Sequence, residues 1–207
     1  MPSFRHNGHR IAYTEFGSGP RTCVLVHGLL LSQLMHEPLA RDLAARGNRV
    51  VTIDLLGHGR SDRPREPCNY SMPGCAEQVV GLLDHLAVDE AVVLGTSLGA
   101  NTALEVCLLA PGRVRGMVIE MPVLDHALVA CVVAFTPLMV GLSVGEPLLR
   151  IAALAARAVP RRLLPLYGNV LLDTVRQEPG PSSAVMRGLF FGRVAPHPEQ
   201  RRTFQAP

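Results

Sequence analysis

The 207-residue chain contains no lysine; all twenty of its Lys-or-Arg positions are arginine. That excludes the chemistries that depend on a lysine amine, among them the phosphate-binding loop lysine, the Schiff base and the kinase strand lysine. Charge is sparse too. Charged residues make up 18% of the chain against 48% hydrophobic ones, too little charge for disorder and enough apolar mass for one packed core. With three Tyr, six Phe and arginines adjacent only at Arg161-Arg162 and Arg201-Arg202, the net charge of +3 has no basic, aromatic-lined face for nucleic acid. There is no C-x-x-C pair and no cluster of His, Cys and carboxylates with ligand spacing, so neither a metal nor a cofactor is expected. The five cysteines (Cys23, Cys68, Cys75, Cys107, Cys131) are odd in number, and the opening MPSFRHNGHR is too polar for a signal peptide. The expectation is a reduced, cytoplasmic protein; a Cys68–Cys75 bridge would fit within one loop, but cytosolic thiols are kept reduced.

The longest uncharged stretch, Ala127 to Gly145, approaches the roughly 20 apolar residues that span a bilayer. Pro137 interrupts it, Gly141 and Gly145 weaken its end, and no basic cluster flanks it. It reads as a buried or lid helix pair, and no membrane span is expected.

What is present is an alternation of strand and helix. Arg10 to Phe16 alternates like a half-buried strand, and Cys23 to Val26 is a short apolar run suited to a strand covered on both faces. A helix is expected over Gln33 to Arg46, a strand over Val50 to Asp54, a glycine-rich turn over Leu56 to Asp62, and a helix over Cys75 to Leu86. A strand at Ala91 to Leu94, a sharp turn, a helix at Ala100 to Ala110 and a strand at Arg115 to Glu120 complete the pattern. Such alternation yields an α/β fold, a mostly parallel sheet with helices on both faces. From Met121 onward the chain is helix-like apolar material punctuated by prolines.

The sharp turn carries the chemistry. Gly95-Thr96-Ser97-Leu98-Gly99 fits G-x-S-x-G between a strand and a helix. Side chains at Gly95 or Gly99 would collide with neighbouring backbone, and the strained turn would push the Ser97 hydroxyl out above the strand ends. The helix beginning at Leu98 would point its free N–H groups where an acyl transition state gathers negative charge. Gly57-His58-Gly59 is no dinucleotide fingerprint, because the third glycine position is Asp62.

Together Val26-His27-Gly28, Asp54-Leu55-Leu56-Gly57-His58-Gly59-Arg60-Ser61-Asp62 and the Ser97 turn resemble the α/β-hydrolase superfamily, in its esterase-like branch, over about residues 10 to 120. The resemblance implies Ser97 as nucleophile, the backbone N–H groups of Leu29 and Leu98 as the oxyanion hole, and motif roles for His27, Gly28, Asp54, Gly57, Gly59, Gly95 and Gly99. It implies a hydrolase core over 1–120, a helical lid over 121–191 that shapes a pocket for a small acyl substrate with an apolar portion, and a returning core segment over 192–207. Relatives resembling dehalogenases and epoxide hydrolases carry a carboxylate at the elbow, so a serine there implies cleavage of an ester, thioester or related acyl bond.

A serine hydroxyl needs an imidazole to take its proton and a carboxylate to orient that imidazole. In the family these follow the strands after the lid, and the chain reaches Pro207 before either strand is evident. It therefore reads as truncated, nearly inactive by itself, and open to self-association through an exposed sheet edge. Glu120 and Asp125 are conceivable acids, and His126 and His197 the histidines furthest along the chain; structural roles are favoured for all four. His27 and His58 are read as packing and hydrogen-bonding residues, not as the base. The competing reading is a non-catalytic protein that retains the elbow and lid as a pocket for a hydrophobic ligand or partner.

Overall fold

The computed structural model describes residues 2–123, 168 and 179–191. Strands β1 (Ser3–His6), β2 (His9–Phe16), β3 (Arg21–Val26), β4 (Asn48–Asp54), β5 (Ala91–Thr96) and β6 (Val114–Glu120) form one sheet in the order β1-β2-β4-β3-β5-β6. The β1–β2 and β2–β4 pairs are antiparallel, whereas β4–β3, β3–β5 and β5–β6 are parallel. Each parallel step requires a crossover helix, supplied by α1 (Glu37–Ala45), α2 (Met72–His85) and α3 (Leu98–Leu109).

Side-chain alternation along the strands divides the core. Val24 and Val26 of β3, with Val51 and Ile53 of β4 and Val93 of β5, pack with Val79, Leu82 and Leu83 of α2 and Ala103 and Val106 of α3. Leu25 and Val50, one residue out of phase, pack on the opposite face with Ala40 and the partly buried Leu43 of α1. Side chains such as Ile11, Ile53, Leu82 and Leu83 are fully buried, each stabilising the fold by about 1.5–3 kcal/mol. A one-residue slip of β3 would exchange the faces and forfeit both cores.

The structure differs from the expected elements at three places. β1 was not anticipated: its SFRH is half polar, and the signal lies in the following Asn7-Gly8, whose φ values of 48 and 82 are those of a tight hairpin turn. The helix expected from Gln33 opens instead as a 3-10 turn over Gln33–His36, because the Gln33 backbone and side chain are bound to Asp54. Helix α2 begins at Met72, where the Ser71 hydroxyl accepts the Gly74 N–H at 3.1 Å and Pro73 suits the first turn.

Of the span assigned to a lid, the described residues include α4 (Pro179–Phe191). It packs on the 3-10 turn at Pro67–Asn69, with Val185 against Gly57 and Gly188 against Pro67 and Tyr70. Ala127 to Gly145, Asp125, His126, Cys131, His197 and the 192–207 segment lie outside the described residues. Among the described residues no helix is long and apolar enough to cross a membrane, and no group of side chains could hold a metal ion.

Candidate active site

Parallel strands β3, β5 and β6 lie side by side, so the turns leaving their carboxyl ends converge. Five non-glycine residues of the described structure have positive φ: Asn7, Leu30, Ala87, Ser97 and Met121. Asn7 belongs to the hairpin, and Ala87 closes α2, donating its N–H to Asp84 while Val88 reaches back to Leu83. The other three follow β3, β5 and β6, at φ 58, 54 and 51 respectively. Left-handed backbone at a residue with a Cβ is unfavourable by roughly 1–3 kcal/mol, and it persists only where the surroundings impose it.

Ser97 is the best defined of these. It is half-buried, with φ 54 and ψ −111, and stands between β5 and α3 without its hydroxyl capping the helix. Its N–H donates to the Glu120 carbonyl at 2.8 Å, and its own carbonyl accepts the Asn101 N–H at 3.1 Å. The flanking glycines are steric necessities: a Cβ at Gly95 would overlap the Gly99 carbonyl, and one at Gly99 would overlap the Val26 carbonyl. A Cβ at Gly28 would be in ordinary contact with the Ser97 Cβ, at 3.8 Å. The Gly28-Leu29 turn therefore passes beside Ser97, and Leu98 supplies the first N–H of α3, which no earlier turn of helix can satisfy.

The rest of the motif is structural. The buried Asp54 carboxylate accepts the Gln33 N–H and the Gln33 Nε2–H at 2.7 Å each, and the Arg60 N–H at 3.0 Å. A Cβ at Gly59 would strike this carboxylate. The Ser61 hydroxyl donates to the Asp54 carbonyl and accepts the Ala12 N–H, while Gln78 of α2 accepts the Leu56 N–H at 2.7 Å.

The histidines of the motif are committed in the same way. His27 Nε2 accepts the Leu55 N–H at 3.0 Å, which leaves the proton on Nδ1 to be donated to the Gly28 carbonyl at 2.8 Å. His58 lies against it, ring centroids 4.8 Å apart, with Nδ1 at 3.0 Å from the Leu56 carbonyl and Nε2 buried without a partner. Burial, reinforced by His27, holds the His58 imidazole well below its ordinary pKa; burial also lowers that of His36, whose Nε2 donates to the Val26 carbonyl at 3.2 Å. Among the described residues no histidine bonds to Ser97, and Glu120 uses its carboxylate to accept the Thr96 hydroxyl at 2.8 Å. Sequence reasoning passed over Gln33, Thr96, Asn101, Leu30 and Met121. Contacts distant along the chain reveal the first three, and left-handed backbone the other two.

The cysteines at 23, 68, 75 and 107 are all free thiols. Cys68 is exposed, whereas burial pushes the Cys75 thiol up to about 12.

A parallel sheet with crossover helices, and a strained serine between a strand and a helix at its carboxyl edge, define an α/β protein. Residues 22–161 match the family model described as alpha/beta hydrolase fold, and the chain belongs to that family. Epoxide hydrolase 2 of Siraitia grosvenorii is 35% identical over 114 residues, which are 54% of this chain and 35% of that protein. Bifunctional epoxide hydrolase 2 of Sus scrofa is 34% identical over 110 residues, 53% of this chain and 20% of that protein. The chain thus matches only about a fifth to a third of the length of these curated relatives. Among solved structures, Est816, described as an N-acyl homoserine lactone degrading enzyme, is 26% identical with a TM-score of 0.60, covering 90% of this chain and 70% of that one.

Proposed function

We propose that this protein is a serine hydrolase that cleaves carboxylic ester or related acyl bonds through an acyl-enzyme at Ser97, with the N–H groups of Leu29 and Leu98 as the oxyanion hole. The observation that carries this reading is the strained, half-buried Ser97, clamped by glycine contacts and not capping the helix it precedes. The curated relatives named as epoxide hydrolases suggest a neighbouring chemistry, and the residue type at position 97 argues against it. A serine oxygen opening an epoxide would form an ether, which water does not readily cleave, whereas attack on a carbonyl gives a hydrolysable ester. Two backbone donors at one oxyanion contribute roughly 10² to 10³ in rate each where such donors have been removed from other enzymes. The lactone named in the description of Est816 is a cyclic ester, the same class of bond.

The general base and its orienting acid are not among the described histidines and carboxylates tied to Ser97. That observation favours a second reading, an apolar-ligand-binding protein without turnover. The full chain incubated with p-nitrophenyl acetate and with styrene oxide separates the possibilities. The expected result is slow ester turnover that Ser97→Ala abolishes, and no diol from the epoxide. Turnover unchanged by Ser97→Ala would overturn the assignment, and tight binding of a fluorescent fatty acid without any ester turnover would favour the second reading.

A further inference from the structure

Met121 follows Glu120, whose carbonyl accepts the Ser97 N–H at 2.8 Å, so the backbone at Met121 lies close to Ser97. Its backbone is left-handed, at φ 51, and its residue surface is 68% exposed. Glycine would adopt this backbone without strain.

The segment is nevertheless fixed at both ends. Before it, Glu120 accepts the Thr96 hydroxyl through its side chain and the Ser97 N–H through its carbonyl, each at 2.8 Å. After it, the Asn101 side chain, one turn into α3, grips the Val123 backbone twice: Nδ2–H donates to the carbonyl at 2.7 Å and Oδ1 accepts the N–H at 2.8 Å. The Met121 backbone is thus held in its left-handed conformation, close to the proposed nucleophile, by bonds on either side of it. Strain so imposed points to a role for the residue that bears it.

We propose that Met121 is a specificity-determining residue of the Ser97 site, where its side chain contacts the carbon chain of the acyl substrate. The proposal rests on the reading of Ser97 as nucleophile. An unbranched thioether adapts its shape to an alkyl chain, and its pinned backbone restricts where that chain can lie. Longer acyl groups are therefore favoured over acetyl.

The test uses methyl and octyl fluorophosphonates, with labelling rates followed by intact-protein mass in the full-length protein, Met121→Ala, Met121→Gly and Ser97→Ala. Wild type is expected to react through Ser97 and to favour the octyl probe. Met121→Ala should reduce the octyl-to-methyl rate ratio about tenfold, the scale on which apolar pockets discriminate chain length. Met121→Gly should reduce it as far while melting a few degrees above Met121→Ala, because only glycine relieves the left-handed backbone. An unchanged ratio in both variants, with wild type still labelled at Ser97, would overturn the role of Met121 and leave the nucleophile standing. Folded wild type that reacts with neither probe would overturn both.

Discussion

Two glycine-rich turns leave the carboxyl ends of central strands, one after β4 and one after β5, and they are held by opposite means. The turn after β4 is saturated with polar bonds: the Asp54 carboxylate accepts three N–H groups, Ser61 bridges Asp54 to Ala12, and Gln78 secures Leu56. The turn after β5 is held mainly by backbone bonds at Ser97 and by close backbone approach at Gly95 and Gly99, with a side-chain bond from Thr96 to Glu120. A turn whose polar side chains are committed to the fold positions other elements, whereas one fixed through its backbone can keep a hydroxyl available for reaction.

The comparison can be broken most severely at the steric turn. Gly95→Ala forces a Cβ into the Gly99 carbonyl, and neither backbone can yield without disturbing β5 or α3. A loss on the order of 4 kcal/mol or more is expected, with soluble yield and cooperative melting both lost. A variant that melts like wild type would show that packing does not hold this turn.

The polar turn should fail less completely. Asp54→Ala leaves the Gln33 N–H, the Gln33 side-chain amide and the Arg60 N–H without their acceptor, at about 1–3 kcal/mol for each group left unsatisfied after local relaxation. A total of about 3 kcal/mol is expected in urea unfolding, because water can reach the loop at the exposed Arg60. Asp54→Asn should recover part of this loss, since one amide oxygen remains to accept.

A smaller, pH-dependent effect probes the buried histidines. Burial lowers the folded-state pKa of His58 and of His36, so below about pH 6.5 the unfolded chain takes up protons that the folded one refuses. Stability is complete above that pH and declines as pH falls through it, by about 1.4 kcal/mol per pH unit for each proton excluded. His58→Asn keeps an N–H donor for the Leu56 carbonyl and removes the titration. It should flatten the decline in urea midpoints between pH 6.5 and 5.5. An equally steep decline would place the acid sensitivity elsewhere.

Much of this contrast is legible in the sequence, for physical reasons that differ between the two turns. The turn is local: five consecutive residues lie between an apolar strand and a helix, with Ser97 at positive φ and Gly95 and Gly99 against neighbouring backbone. Alternation along β3 to β6 likewise announces a sheet buried on both faces. The bonds that tune the site are distant along the chain, as with Gln33 to Asp54, Thr96 to Glu120 and Asn101 to Val123, and no periodicity encodes them. Strand β1 was missed because SFRH lacks an apolar face, although Asn7-Gly8 carried the hairpin signal. Met121 gave no sign at all, since its left-handed backbone becomes visible only in three dimensions.

The reactivity of the Ser97 hydroxyl is the central question. Treatment of the folded full-length protein with a fluorophosphonate, followed by peptide mapping, should place a single phosphonyl adduct on Ser97 and none in Ser97→Ala. An adduct on any other residue, or none while the protein remains folded, would contradict that reactivity.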